Sequence, residues 1–316
     1  MAKRTAVVAI GGNSLIKDRL HQTVRDQYIA AGETCWHIAG MIREGWDVAI
    51  AHGNGPQVGF ILRRSELAAH ELHEVPLDAI GADTQGAIGY ALQQNLYNDF
   101  RRLGMGKQAV TVVTQTEVAA DDPAFQSPSK PIGSFMDEET AKLRREQDGW
   151  NVMFDAGRGW RRVVASPLPV RIVEEEAIKS LVREGFVVIS AGGGGIPVVA
   201  DAEGNLTGVA AVIDKDLASS LLATVLGAEL FLISTAVEKV ALGFGTPEEA
   251  PVDHLTLAQA KEYLAEGVHF AKGSMAPKIQ AIVGYLERGG TEAIVTNPEN
   301  VERALAGETG TRFTRD

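Results

Sequence analysis

The chain of 316 residues holds one cysteine, Cys35, so no intrachain disulfide can form. A chain without disulfides needs no oxidising compartment, and the cytoplasm is the expected location. Cys35 neighbours Trp36 and Ile38 in a helix-like stretch and reads as core packing rather than as a reactive thiol. Long apolar runs are missing too. None approaches the ~20 residues that a membrane span needs, and Met1-Ala2-Lys3-Arg4 leads into a short strand instead of a signal-peptide core. No membrane partner is expected. Basic charge is scarce: 30 Lys and Arg stand against 41 Asp and Glu, a formal net charge of −11. That argues against nucleic acid as the main partner, which would favour a basic footprint. An anionic substrate stays open, because a few lysines and backbone amides can reverse the potential inside one cleft.

Several common motifs are also absent. No Gly-x-x-x-x-Gly-Lys-Ser/Thr occurs, so the chain is not a P-loop enzyme. No Gly-x-Gly-x-x-Gly follows the first strand, which weakens a dinucleotide-binding reading, and the run from Gly192 to Gly195 continues into Ile196-Pro197 and fails that fingerprint as well. The seven histidines show no protease-like or zinc-like spacing. His70 and His73 are three apart on an expected helix and read as a solvated face, so no protein metal site is expected.

What remains is a regular alternation. Strand-like runs at residues 5–10, 47–51, 109–113, 186–190, 230–234 and 293–296 are separated by helical stretches at 22–43, 57–72, 77–103, 174–184, 216–226, 256–265 and 277–286. This spacing gives βαβ units, hence an α/β fold with a mainly parallel sheet covered on both faces. The 45% hydrophobic content and the length supply a large core. Three of the strands run straight into glycine clusters: Gly11-Gly12-Asn13-Ser14, His52-Gly53-Asn54-Gly55-Pro56 and Ala191-Gly192-Gly193-Gly194-Gly195. In an open parallel sheet, ligands sit beyond the carboxyl ends of the strands. Glycine there lets backbone N–H groups approach an anion, and the next helix adds its positive end. The chain therefore reads as an enzyme that handles phosphates.

Two lysines fit that reading. Lys215, in Asp214-Lys215-Asp216, projects from a helix start that Asp216 is expected to cap. Lys278, in Gly273-Ser274-Met275-Ala276-Pro277-Lys278, lies in the first turn of another helix, where acids are usually preferred. A cation at that end of the dipole points to a nearby anion. The segment 116–169 breaks the rhythm: it is polar, proline-bearing and weakly periodic, and it reads as an inserted flap over the site.

The motifs carry a resemblance to the carbamate kinases of the amino-acid kinase superfamily, over nearly the whole chain. Its carriers are Ala9-Ile10-Gly11-Gly12-Asn13-Ser14-Leu15, Ala51-His52-Gly53-Asn54-Gly55-Pro56-Gln57-Val58-Gly59, Lys130-Pro131-Ile132-Gly133 and Gly159-Trp160-Arg161-Arg162-Val163-Val164-Ala165-Ser166-Pro167, then Gly192-Gly193-Gly194-Gly195-Ile196-Pro197-Val198, Val212-Ile213-Asp214-Lys215-Asp216-Leu217-Ala218, Phe244-Gly245-Thr246-Pro247 and the Lys278 motif. The superfamily's usual first-strand lysine is missing, and Lys130 matches the lysine that carbamate kinases bring from the inserted subdomain. The resemblance implies an αβα sandwich in one domain, residues 1–316. Residues 1–190 form an acceptor lobe with the flap at about 116–169, and residues 191–316 form a nucleotide lobe. It implies reversible phosphoryl transfer between ATP and carbamate, giving ADP and carbamoyl phosphate, with Mg²⁺ bridging the β- and γ-phosphates. Gly11, Gly12, Asn13, Gly53, Asn54 and Gly55 would hold carbamate and the phosphoryl group. Lys130, Lys215 and Lys278 would neutralise charge, and Asp214 would orient the lysines. Gly193, Gly194, Val240, Phe244, Met275 and Lys278 would bind the nucleotide. A homodimer across the N-terminal lobes is also implied, and Ile80, Ala87, Ile88, Ala91, Leu92, Leu96 and Phe100 read as apolar surface to spare for it. Two alternatives remain: an amino-acid kinase with another carboxylate or phosphate acceptor, and a non-catalytic nucleotide sensor.

Overall fold

A computed structural model describes residues 4–18, 20–155, 157–271 and 273–316, and of Asn13 the backbone alone. Eight strands form the central sheet: β1 (Arg4–Ile10), β2 (Trp46–His52), β3 (Ala109–Thr111), β4 (Val187–Ile189), β5 (Leu230–Ser234), β6 (His254–Thr256), β7 (Glu292–Thr296) and β8 (Thr311–Thr314). Their order is β6-β8-β7-β5-β1-β2-β4-β3. All neighbours are parallel except β7 and β8, so β8 and β6 run against the rest at one edge. Strands β6 and β8, of three and four residues, were too short to be legible in the sequence.

Successive side chains point to opposite faces, and both faces are buried. Val7 and Ala9 face a core shared with the helices Glu175–Arg183, Lys215–Val225, Leu257–Glu266 and Met275–Glu287. Ala6, Val8 and Ile10 face the opposite core, built with Val24–Arg43, Leu77–Arg102 and Val301–Leu305. The result is the expected αβα sandwich. Cys35 is fully buried in the second core, and burial pushes its thiol pKa up, as an inert packing residue requires. Among the described residues no helix is long and apolar enough to cross a membrane.

The inserted segment is more ordered than its composition suggests. It leaves the body at strand Gln115–Val118 and returns at Pro169–Ile172, which pair antiparallel. Between them, Lys130–Met136 and Val152–Asp155 flank Gly159–Val164 in a three-stranded antiparallel sheet, with the helix Glu138–Asp148 alongside. Ile132 and Val164 seat this flap on Val58, Leu62, Leu77 and Ile80 of the body.

Two expectations fail here. The helix Gly55–Ala68 stops short of His70 and His73, which lie in the exposed turn after it rather than on a helix face. The apolar residues assigned to spare surface on Leu77–Arg102 are not spare. Ile80, Ile88, Ala91, Leu92, Leu96 and Phe100 are buried in this chain's own cores, leaving only Ala87 exposed. A helix lying across a wide sheet needs an apolar stripe of that breadth.

Candidate active site

Strands β1, β2, β4 and β5 are parallel, so their carboxyl ends share one edge of the sheet. β1 stands where the strands of the two sequence halves meet, with β2 on one side and β5 on the other. The glycine loops converge at that crevice. A Cβ placed on Gly53 would lie 3.4 Å from Lys215 Cδ and 3.5 Å from the backbone nitrogen of Gly12. Gly11 donates its N–H to the Ser234 carbonyl at 3.0 Å, and Gly53 to Ile10 at 3.0 Å, which ties both loops to the strand ends. Gly12 opens a short 3-10 turn, Gly12–Ser14. The side chain of Asn13 lies outside what the structure describes. Gly55 begins the helix Gly55–Ala68 and is exposed.

Three lysines reach this crevice from three elements. Lys215 is the first residue of Lys215–Val225, Lys278 sits in the first turn of Met275–Glu287, and Lys130 begins the first flap strand. Two aspartates receive them. Asp216 accepts from Lys278 Nζ at 2.8 Å on one oxygen and from Lys215 on the other. Asp214 accepts from Lys130 Nζ at 2.9 Å. The helix is capped by Asp214, not by Asp216 as the sequence suggested: Asp214 Oδ1 accepts from the Asp216 N–H at 2.9 Å. The orienting role is divided in the same way. Asp214 holds only Lys130, and Asp216 holds the pair. Asp216 was missed as a site residue, although two lysines at helix starts already demanded a shared counter-ion.

The electrostatics of this cluster are unbalanced. Burial pushes the Asp216 carboxyl up, but the two ammonium groups outweigh it and hold it at about 2. Lys215 moves the other way from an ordinary ion pair. Burial and the neighbouring Lys278 push its pKa down more than Asp216 supports it. The asymmetry has a plain cause: Asp216 has two cations, while each lysine has half an anion. Three lysines against two aspartates, at the positive end of a helix, leave room for a further negative group.

Other residues pack behind these groups. His52 is buried, its Nδ1 3.1 Å from the Gly53 carbonyl. Burial lowers its pKa to about 4, with Lys215 adding to the fall, so it is neutral at pH 7. Asn54, expected to touch substrate, donates its Nδ2 to Thr84 Oγ1 at 2.9 Å. Gln85 accepts from the Thr114 N–H at 2.7 Å and donates to Thr114 and Gly192 carbonyls at 3.0 Å each. Gly192–Gly194 are fully enclosed by protein. A Cβ on Gly193 would meet Asn54 Nδ2 at 2.1 Å, and one on Gly194 the Ile213 carbonyl oxygen at 2.5 Å. Close packing of backbone against these neighbours is thus one reason for glycine there.

The expected nucleotide residues are spread out. Val240 is fully buried in the core, with its N–H on Thr311 Oγ1 at 2.8 Å, so it can support a pocket wall but not line it. Phe244 is 58% exposed on a loop whose N–H reaches the His269 carbonyl at 3.4 Å. Met275 opens the helix that carries Lys278 and packs against the same core as Val240. Among the described residues no group of three or more His, Cys, Asp or Glu could hold a metal.

Comparison with known proteins agrees with this geometry. Residues 4–297 match the amino acid kinase family. The chain is 50% identical to the carbamate kinase-like protein YahI of Escherichia coli, over 98% of this chain and 99% of that one. It is 45% identical to the carbamate kinase of Thermococcus kodakarensis, over 99% of this chain and all of that one. A solved carbamate kinase from Giardia lamblia, bound to AMP-PNP, superposes with a TM-score of 0.93 at 38% identity, covering all of this chain and 99% of that one. A family model over residues 4–297 and full-length similarity at these levels place the chain in the amino acid kinase family, among the carbamate kinases.

Proposed function

We propose that the chain catalyses reversible phosphoryl transfer between ATP and carbamate, giving ADP and carbamoyl phosphate. The observation that carries this reading is the unbalanced cluster of Lys130, Lys215 and Lys278 on Asp214 and Asp216, beside the Gly12 and Gly53 backbones. The AMP-PNP bound to the Giardia lamblia enzyme supports ATP as the phosphoryl donor.

The acceptor's chemistry suits the site. Carbamate is already an anion with a nucleophilic oxygen, so no general base is needed. His52, the one histidine at the crevice among the described residues, is buried and held neutral by its surroundings, with a pKa of about 4 rather than near working pH. Catalysis then rests on in-line positioning by the glycine loops and on charge neutralisation by the lysines. Magnesium would arrive with the nucleotide as part of the substrate. Asp214 and Asp216 are both engaged by lysines, and an ion of this kind is commonly held by substrate phosphates with few protein ligands. The lobe assignment follows: the loops at Gly11 and Gly53 serve the acceptor, and the Lys278 helix with Phe244 and Met275 serves the nucleotide.

The test is ATP formation from ADP and carbamoyl phosphate, with glycerol and serine as competing acceptors in the reverse assay. Phosphorylation of carbamate far above that of the alcohols is expected. Comparable turnover of an alcohol would mean that a base has been overlooked, and nucleotide binding without any turnover would make the protein a sensor. Lys130→Ala separates the flap from the nucleotide lobe. It should lower kcat by about 10²-fold, the loss typical of one transition-state charge contact, with ADP affinity by calorimetry nearly unchanged. Lost ADP affinity at unchanged kcat would move Lys130 into the nucleotide site.

A homodimer remains our reading of the assembly, on other residues than the sequence suggested. Ile29, Trp36, Tyr90 and Tyr97 are 53%, 44%, 58% and 57% exposed on the adjoining helices Val24–Arg43 and Leu77–Arg102. Light scattering at micromolar concentration should give twice the 33.7 kDa chain mass. A monomer would refute the dimer.

A further inference from the structure

Behind the flap lies a cavity. It has a volume of about 360 Å³, between the helix Gly55–Ala68 and the flap, and none of the lysines, aspartates or glycine loops of the candidate active site lines it. Part of its wall is apolar, from Leu62, Ile132 and Phe135. Arg63, Arg144 and Arg162 line it as well, against the carboxylates of Glu66 and Asp137, and Asp137 is already engaged by the Thr140 N–H at 2.7 Å. Arg63 pairs with Glu66 at 3.3 Å and Arg144 with Asp148 at 2.8 Å. Arg162 differs. Its guanidinium lies 4.6 Å from the Trp150 ring centroid, and among the described residues it has no hydrogen-bond or ion-pair partner. Arg144 lies over the same ring at 5.1 Å, which adds a second cation. Burial pushes the Arg162 pKa down, and Glu66, Glu74 and Asp148 only partly oppose it from a distance. A smaller cavity of about 270 Å³ shares Leu62, Glu66, Trp150 and Arg162, so Arg162 stands where the two meet.

We propose that this cavity binds a small amphipathic monocarboxylate, with its carboxylate on Arg162 and its apolar body against Leu62, Ile132 and Phe135, and that occupancy regulates the flap. A guanidinium fork on a rigid strand matches a carboxylate in two parallel bonds. The volume is in the range of small-ligand sites. The mechanical link is covalent. One strand, Lys130–Met136, carries Lys130 into the candidate active site and lines this cavity with Ile132 to Met136. The opposite wall is the helix that continues from the Gly53-Asn54 loop. A ligand touching both walls binds one flap position better than another and shifts its population by that difference.

Calorimetry with benzoate and hexanoate tests the site, and benzamide is the uncharged control. Saturable millimolar binding of both carboxylates is expected, the level such small ligands reach in a preformed pocket. Arg162→Gln and the exchange of benzoate for benzamide should each weaken it at least tenfold, and Phe135→Ala should weaken hexanoate. Lys215→Ala, which disables the candidate active site, should leave binding intact. No saturable binding of either carboxylate, equal affinity in Arg162→Gln, or loss in Lys215→Ala would each overturn the site. These readouts do not depend on the proposed reaction. Benzoate should also change the rate of ATP formation in the wild type and not in Arg162→Gln; binding at an unchanged rate would overturn the regulatory half.

Discussion

Lys215→Ala is expected to lower kcat by 10²- to 10³-fold in a protein that still folds. That is a loss of roughly 3–4 kcal/mol of transition-state stabilisation, the scale seen when one preorganised charge contact is removed from a water-excluded site. The ammonium lies against Asp216 on a side chain that is 14% exposed, and burial has already lowered its pKa, so it meets a phosphoryl group with little water to displace. The fold should survive because Lys215 is the first residue of its helix, whose cap, Asp214, is untouched. Near-normal kcat in a folded variant would remove Lys215 from the mechanism.

Asp216→Ala should act on stability first. It strands two buried ammonium groups, and breaking a buried pair by deleting one partner costs about 3–5 kcal/mol. The denaturant midpoint should fall accordingly, and kcat with it, because Lys215 and Lys278 lose their common anchor. An unchanged midpoint would mean that the two ammoniums are hydrated after all. Titration gives a second route to the same contact. The carboxyl is held at about 2 against an ordinary value of 3.8. A depressed carboxylate stabilises the fold fully above its unfolded pKa and loses that contribution as pH falls through the folded one. The window therefore runs from about pH 4 down to about pH 2, and its depth is roughly 2 kcal/mol at ~1.4 kcal/mol per pH unit. The substitution should exceed that figure, since titration leaves the side chain's packing in place.

Much of the site was legible because it is carried by local chemistry. A strand that ends in Gly-Gly-Asn, or a glycine loop followed directly by Pro, announces a strand-to-helix turn wherever the chain goes next, and the helices kept their ends within two residues except at Ala68, where the helix stops four residues before the expected end. What escaped reading depends on partners far along the chain. Asp214 and Asp216 are alike as letters. Only the approach of Lys130 from 84 residues away, and of Lys278 from 62, divides their roles. The flap's strands carry polar and charged residues because they pack on the body through few positions, Ile132 and Val164 among them, so the usual alternation is diluted. Val240 was misplaced for the opposite reason: a valine looks the same at a pocket wall and one layer beneath it.

The tightly packed glycine turn has a consequence for how this sequence can vary. A methyl group on Gly192, Gly193, Gly194 or Gly195 would come within 2.3 Å of His52 Nε2, 2.1 Å of Asn54 Nδ2, 2.5 Å of the Ile213 carbonyl oxygen and 1.9 Å of Thr116 Oγ1, respectively. Those four neighbours belong to three different segments, and the last three glycines hold φ of 68°, 96° and 89° besides. No single neighbour can yield to admit a side chain at more than one of the four. In a saturation scan for folded protein, this stretch should therefore appear as four adjacent positions that accept only glycine. Gly12 and Gly55, whose surroundings are open within 4 Å, should tolerate alanine in the fold and register its loss only in a screen for activity.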